Sequence, residues 1–97
     1  METATMPCTL THRSLDIYTA EACFGCDRAR ELAAQVRGWR LPHVTVTLRD
    51  LGDPGTDRPD RVFAVPTYLL DGRVISLGNP DVSWLYQLLT SEAEDGA

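Results

Sequence analysis

The sequence predicts an α/β fold in the order β-α-β-β-β-α around a central mixed sheet. Three observations carry that expectation: a helical period of apolar residues between two alternating runs, a two-residue turn pair between two further runs, and a helix-opening tripeptide near the end. Leu15 and Ile17 alternate with Asp16 and Tyr18, which reads as a first strand. From Cys26 the apolar positions Cys26, Ala29, Leu32, Ala33 and Val36 recur at helical spacing, with Asp27, Arg28, Arg30, Glu31 and Arg37 on the other face. Gly38 supplies a helix stop. Val44, Val46 and Leu48 then alternate with Thr45 and Thr47, a run rich in β-branched residues that suit a pleated surface. Strand, helix and strand make a βαβ unit.

Between Gly52 and Arg61 the Gly-Asp-Pro-Gly and Arg-Pro pieces break any regular pattern, leaving a loop with at most one short helical turn around Pro59 to Val62. Thr67 to Leu70 and Arg73 to Leu77 read as strands joined by Asp71-Gly72, a pair that favours an antiparallel hairpin. Asn79 then reads as an N-cap, Pro80 as the first helical residue and Asp81 as an acid in the first turn. The helix they open extends to about Leu89, with Val82, Leu85, Tyr86 and Leu89 on one face and Trp84 and Leu88 as core or core-edge residues. The expected organisation is a flexible segment over residues 1–14, one domain over 15–90 and an acidic tail over 91–97.

Composition bounds the function classes. Ninety-seven residues, 43% of them hydrophobic, bury one modest core and not two. The net charge is −5, and the nine basic residues are all arginine, dispersed along the chain. No basic stripe matches a phosphate backbone, so no nucleic-acid partner is expected. No apolar stretch approaches the roughly 18 residues of a membrane span, and the first residues lack the pattern of a signal peptide. Three cysteines with a single close pair do not resemble the dense staples of a small secreted protein. Cytoplasmic residence and a monomer are the expectations.

The chemistry lies in Ala22-Cys23-Phe24-Gly25-Cys26, where two thiols separated by two residues follow a strand and open a helix. The unpaired N–H groups and dipole of a helix N-terminus favour a thiolate at Cys23. Cys26, three positions on, reads as the shielded thiol within reach of a disulfide made by the first. The same spacing is also half of a zinc site, which this chain would complete only with Cys8 and His12. Otherwise Cys8 reads as a stray exposed thiol, and His12 and His43 as solvated residues. Phe24 is either an apolar landing patch beside the reactive thiol or a ring folded over the helix end. Arg28, Arg30 and Arg73 read as a solvated charge set, and one near Cys23 would lower its pKa.

The order β-α-β then β-β-α, with the dithiol after the first strand and Val65-Pro66-Thr67 before the hairpin, resembles the thioredoxin-like superfamily over roughly Leu15 to Leu89. Ile17-Tyr18-Thr19 leading to Cys23-Phe24-Gly25-Cys26, followed by Asp27-Arg28-Ala29-Arg30-Glu31-Leu32, is most similar to glutaredoxins. The Ala20-Glu21-Ala22-Cys23 approach is similar to thioredoxins. The resemblance implies Cys23 as attacking thiol, Cys26 as resolving thiol, and Pro66 as a cis-proline that leaves the Val65 backbone free to pair with a substrate. Phe24, Gly25, Val65, Pro66 and Thr67 are thus the expected substrate-binding residues.

Some positions depart from the family patterns. Ile17 stands where thioredoxins carry a buried aspartate, so proton transfer from Cys26 would use Glu21, Asp16 or water. Gly78-Asn79 stands in place of a glutaredoxin Gly-Gly, and the usual second helix is shortened to the Gly52 to Arg61 loop.

Taken together, these features lead to an expected thiol-disulfide oxidoreductase acting on a protein or small-thiol disulfide. A reductase or a low-molecular-weight thiol such as glutathione would be the electron donor, and neither a metal nor an organic cofactor is expected. A metal-binding module, holding zinc or a bridging iron–sulfur cluster, and a redox-inert interaction domain are the alternatives.

Overall fold

The computed structural model of the protein describes residues 12–21 and 23–90. Expectations that fall on residues 1–11, Cys8 among them, on Ala22 and on the tail 91–97 lie outside the described residues. The elements are β1 (Arg13–Thr19), α1 (Cys26–Gly38), β2 (Val44–Asp50), β3 (Thr67–Leu70), β4 (Arg73–Leu77) and α2 (Val82–Thr90). They form an α/β fold with one four-stranded mixed sheet in the order β2-β1-β3-β4. β1 pairs parallel with β2, Ile17 opposite Leu48, and antiparallel with β3, Ile17 opposite Tyr68. The parallel pair needs a crossover, which α1 provides.

Strand alternation divides the sheet into two faces with different cover. Leu15 and Ile17 of β1 and Tyr68 and Leu70 of β3 point to one face, where they meet Ala29, Leu32, Ala33 and Val36 of α1 and Leu85 and Leu89 of α2. Both helices therefore contribute to one core. Each fully buried leucine or isoleucine there stabilises the fold by about 1.5–3 kcal/mol. Tyr18 and Leu69 point the other way and pack with Val62, Leu51 and Val65. Residues 51–66 cover that second face as an irregular segment of short turns, closed by Asp53 N–H donating to the Asp50 carbonyl at 3.0 Å, Thr56 N–H to Asp53 at 2.9 Å and Val62 N–H to Pro59 at 2.9 Å.

The hairpin follows the sequence closely. Asp71 (φ 53°) and Gly72 (φ 85°) are both left-handed, as a two-residue hairpin turn demands. A one-residue register shift between Tyr68 and Leu69 bulges β4, and Ile75 of the bulged stretch packs on the main core.

Elsewhere the element ends depart from their expected chemistry. Gly38 is the last helical residue of α1, and the left-handed residue that turns the chain away is Arg40 (φ 56°). β1 begins at Arg13, two residues inside the expected flexible segment, because Asp71 holds both Arg13 and Ser14. α2 begins at Val82 and not Pro80, and its cap is Asp81, whose Oδ2 accepts the Trp84 N–H at 3.1 Å. Leu85 and Leu89 alone form the buried stripe of α2. Trp84 and Tyr86 flank it, 42% and 46% exposed, and Tyr86 meets Trp39 edge-on with ring centroids 4.9 Å apart. His43 is not a solvated residue: half-buried, it donates from Nε2 to the Leu89 carbonyl at 2.8 Å, and its buried Nδ1 has no partner among the described residues.

Candidate active site

β1 closes at Thr19 and α1 opens at Cys26, so Cys23 belongs to the connection between them. Cys23 and Cys26 are joined as a disulfide with their Cα atoms 5.4 Å apart. The turn between them is tight, with Cys26 N–H donating to the Cys23 carbonyl at 3.2 Å. Gly25 is the N-cap of α1 in a left-handed conformation (φ 97°), and its carbonyl accepts the Ala29 N–H at 3.1 Å. No side chain among the described residues caps this helix end, so its open N–H groups and dipole lie beside the sulfurs. Cys26 is buried at 1% exposure whereas Cys23 is partly exposed, the asymmetry expected of a resolving and an attacking thiol.

The other expected residues divide between surface and interior. Phe24 is fully exposed, which excludes a ring folded over the helix end. Pro66 is buried and follows a cis Val65–Pro66 bond. A methyl group at Gly25 would lie 3.9 Å from Pro66 Cδ, so the proline stands against the turn between the two cysteines. Val65 packs on the second-face cluster. Thr67 is buried, and its hydroxyl donates to the Ala64 carbonyl, which braces the approach to β3.

Beside Cys23 lies a shallow open depression lined by Ala20, Glu21, Phe24, Asp27 and Arg30. Arg30 is the one expected arginine found there, and Asp27 pairs with it at 3.0 Å. Of the groups considered for proton transfer, Glu21 shares this depression, while Asp16 is engaged by Arg49 at 3.1 Å. Ile17 is fully buried in the main core.

Two residues at the site escaped the sequence reading. Asn79 donates from Nδ2 to the Gly25 carbonyl at 2.9 Å, and its Oδ1 accepts the Tyr68 hydroxyl at 2.8 Å. Burial pushes the Tyr68 phenol up to about 12, against the pull of the positive Arg28, so the hydroxyl stays a donor at neutral pH. Gly78 N–H also donates to the Pro66 carbonyl at 2.8 Å, so residues 78–79 are stitched to both Pro66 and Gly25. Asn-Pro-Asp was read as a cap with Asn79 first, which hid this role.

The zinc arrangement does not assemble from the described residues. His12 precedes β1 and bonds the Thr45 hydroxyl at 3.0 Å, whereas Cys23 follows β1. A seven-residue strand at about 3.3 Å per residue separates the two by far more than a metal's reach.

No protein-family model matches the chain, and no curated protein matches it. Among the described residues no helix is long and apolar enough to cross a membrane.

Proposed function

We propose that the protein is a thiol-disulfide oxidoreductase with a thioredoxin-like fold, reducing protein or small-thiol disulfides through Cys23 and Cys26. The observation that carries this reading is the Cys23–Cys26 disulfide at the open N-terminus of α1, with Cys26 buried, Cys23 accessible and Pro66 beside the turn. The order β-α-β-β-β-α around a mixed sheet supports the fold assignment.

In the reaction, the Cys23 thiolate attacks one sulfur of the substrate disulfide and expels the other as a thiolate. Cys26 then gives up its proton and attacks the Cys23 sulfur of the mixed disulfide, releasing the second substrate thiolate. The chain is left as the Cys23–Cys26 disulfide, and two electrons and two protons from a reductase or a thiol such as glutathione restore the dithiol. The protein would act without a metal or organic cofactor, as a cytoplasmic monomer.

Trapping tests the reading. Cys26→Ser should accumulate thiol-sensitive adducts on Cys23 that run as extra bands on a non-reducing gel, whereas Cys23→Ser should give almost none. Wild-type protein should also reduce insulin with dithiothreitol as donor. Absence of both adducts and insulin reduction would overturn the proposal, and equal loss of bound zinc from both variants would point to a metal module.

A further inference from the structure

We infer that Asn79 is a positioning residue for the dithiol, holding the Phe24-Gly25 turn so that the two cysteines close on each other. The inference deepens the proposed function and rests on it for its catalytic meaning. Gly25 carries no side chain, and its left-handed backbone leaves the carbonyl to fix its orientation. That carbonyl accepts from two directions: Ala29 N–H along the helix and Asn79 Nδ2 across from the segment after β4. A carbonyl only accepts, so the amide nitrogen of Asn79 must face it, which turns Oδ1 toward Tyr68 and makes the buried tyrosine hydroxyl the donor. The result is a chain of hydrogen bonds from the sheet interior to the residue between the cysteines. Neither Asn79 nor Tyr68 touches a sulfur in this chain of bonds.

Two constraints on one short turn reinforce each other. A turn already ordered by Asn79 loses less freedom when Cys23 and Cys26 join, so the amide bond raises the effective concentration of one thiol at the other. Linkage makes the effect reciprocal: whatever the disulfide adds to the Asn79–Gly25 bond, Asn79 adds to the disulfide. The same ordering brings Cys26 to the mixed disulfide, so it acts on resolution as well as on equilibrium.

Equilibration of the purified chain with graded glutathione or dithiothreitol buffers, read by thiol labelling, gives the disulfide stability directly. Asn79→Ala should move the balance toward the dithiol by up to about three- to fivefold, or roughly 15–20 mV, the limit set by the net worth of one hydrogen bond. Asn79→Asp, which keeps an acceptor for Tyr68 but sets a carboxylate against the Gly25 carbonyl, should move it at least as far. Tyr68→Phe keeps the ring and should give a smaller shift in the same direction. In a Cys26-containing background the Asn79→Ala mixed disulfide should also persist longer.

A merely structural Asn79 would lower the melting temperature of oxidised and reduced forms alike and leave the equilibrium where it was. That result, or a shift toward the disulfide, overturns the inference. Chemical equilibration needs no catalytic turnover, so failure of the insulin and trapping assays would remove the oxidoreductase reading without touching this measurement.

Discussion

Asp71 ties the hairpin turn to the first strand through Ser14, whose backbone N–H it accepts on Oδ1 at 2.9 Å. Its other oxygen pairs with the Arg13 guanidinium. Burial works to raise the Asp71 pKa, but the Ser14 N–H, the Arg13 bond and charge and the His12 charge outweigh it, and the carboxyl lies below its usual 3.8. A carboxyl depressed in the folded state contributes stability that is present above its unfolded pKa and lost as pH falls through the folded one.

Asp71→Asn should therefore flatten the acid limb of the stability profile. Asparagine still offers an oxygen to Ser14 and tolerates the left-handed φ of 53°, so folding persists. Urea unfolding at pH 7 should show a small loss, since the side chain is 40% exposed and its ion pair is screened. The wild-type advantage should begin to shrink as pH falls below about 4 and disappear once pH has dropped through the lower folded-state value. An advantage unchanged at pH 3 would refute the assignment.

The two glycines that bound α1 should respond oppositely to alanine. At Gly25 the φ of 97° strains any side chain by about 1–2 kcal/mol, and the new methyl would sit 3.4 Å from Asn79 Nδ2. Gly38 is helical, and a methyl there would meet none of the described residues within 4 Å, so Gly38→Ala should stabilise by up to about 1 kcal/mol. Denaturant midpoints compare them, and equal stability of Gly25→Ala and wild type would contradict the strained turn.

What the sequence made legible is what local rules govern. The strand alternation around Leu15 and Ile17, the helical period from Cys26 to Val36 and the Asp71-Gly72 turn each depend on neighbours a few residues away, and all three are found in place. The cysteine spacing is equally local, and Cys23 and Cys26 are found joined. What stayed hidden needs tertiary information. Alternation at Tyr18 and Leu69 marks a second buried face without saying that residues 51–66, and not a helix, cover it. Asn79 and Asp81 are equally good caps by residue type, and only the distant partners Tyr68 and Gly25 claim Asn79 and leave the cap to Asp81.

Phe24→Ala should separate protein substrates from small ones. The ring is fully exposed and its removal costs no packing, so the melting temperature should stay within a degree or two of wild type. An exposed aromatic beside Cys23 instead offers apolar area to a docked protein. The variant should raise KM for a protein disulfide by about three- to tenfold, a loss on the order of 1 kcal/mol, while leaving exchange with a small disulfide unchanged. Equal effects on both substrates would assign the ring to the chemistry of the turn itself.

The open N-terminus of α1 and the Glu21 carboxylate in the depression act on the Cys23 thiol in opposite directions. In the reduced protein Cys23 should be alkylated faster than the buried Cys26, with a midpoint below the roughly 8.5 of a free thiol, because the open N-terminus of α1 favours the thiolate. Glu21 lines the same depression and opposes that effect, since a carboxylate disfavours a second negative charge nearby. Glu21→Gln should therefore lower the midpoint further, by a few tenths of a unit given that both groups reach solvent, and the difference should shrink as salt is added. Asp16→Asn serves as the control, because Arg49 already engages that carboxylate away from the depression. Alkylation rates against pH, with peptide mapping to assign each cysteine, decide the matter: faster labelling at Cys26 would reverse the two roles, and a raised midpoint in Glu21→Gln would mean that Glu21 assists Cys23 as a proton acceptor instead.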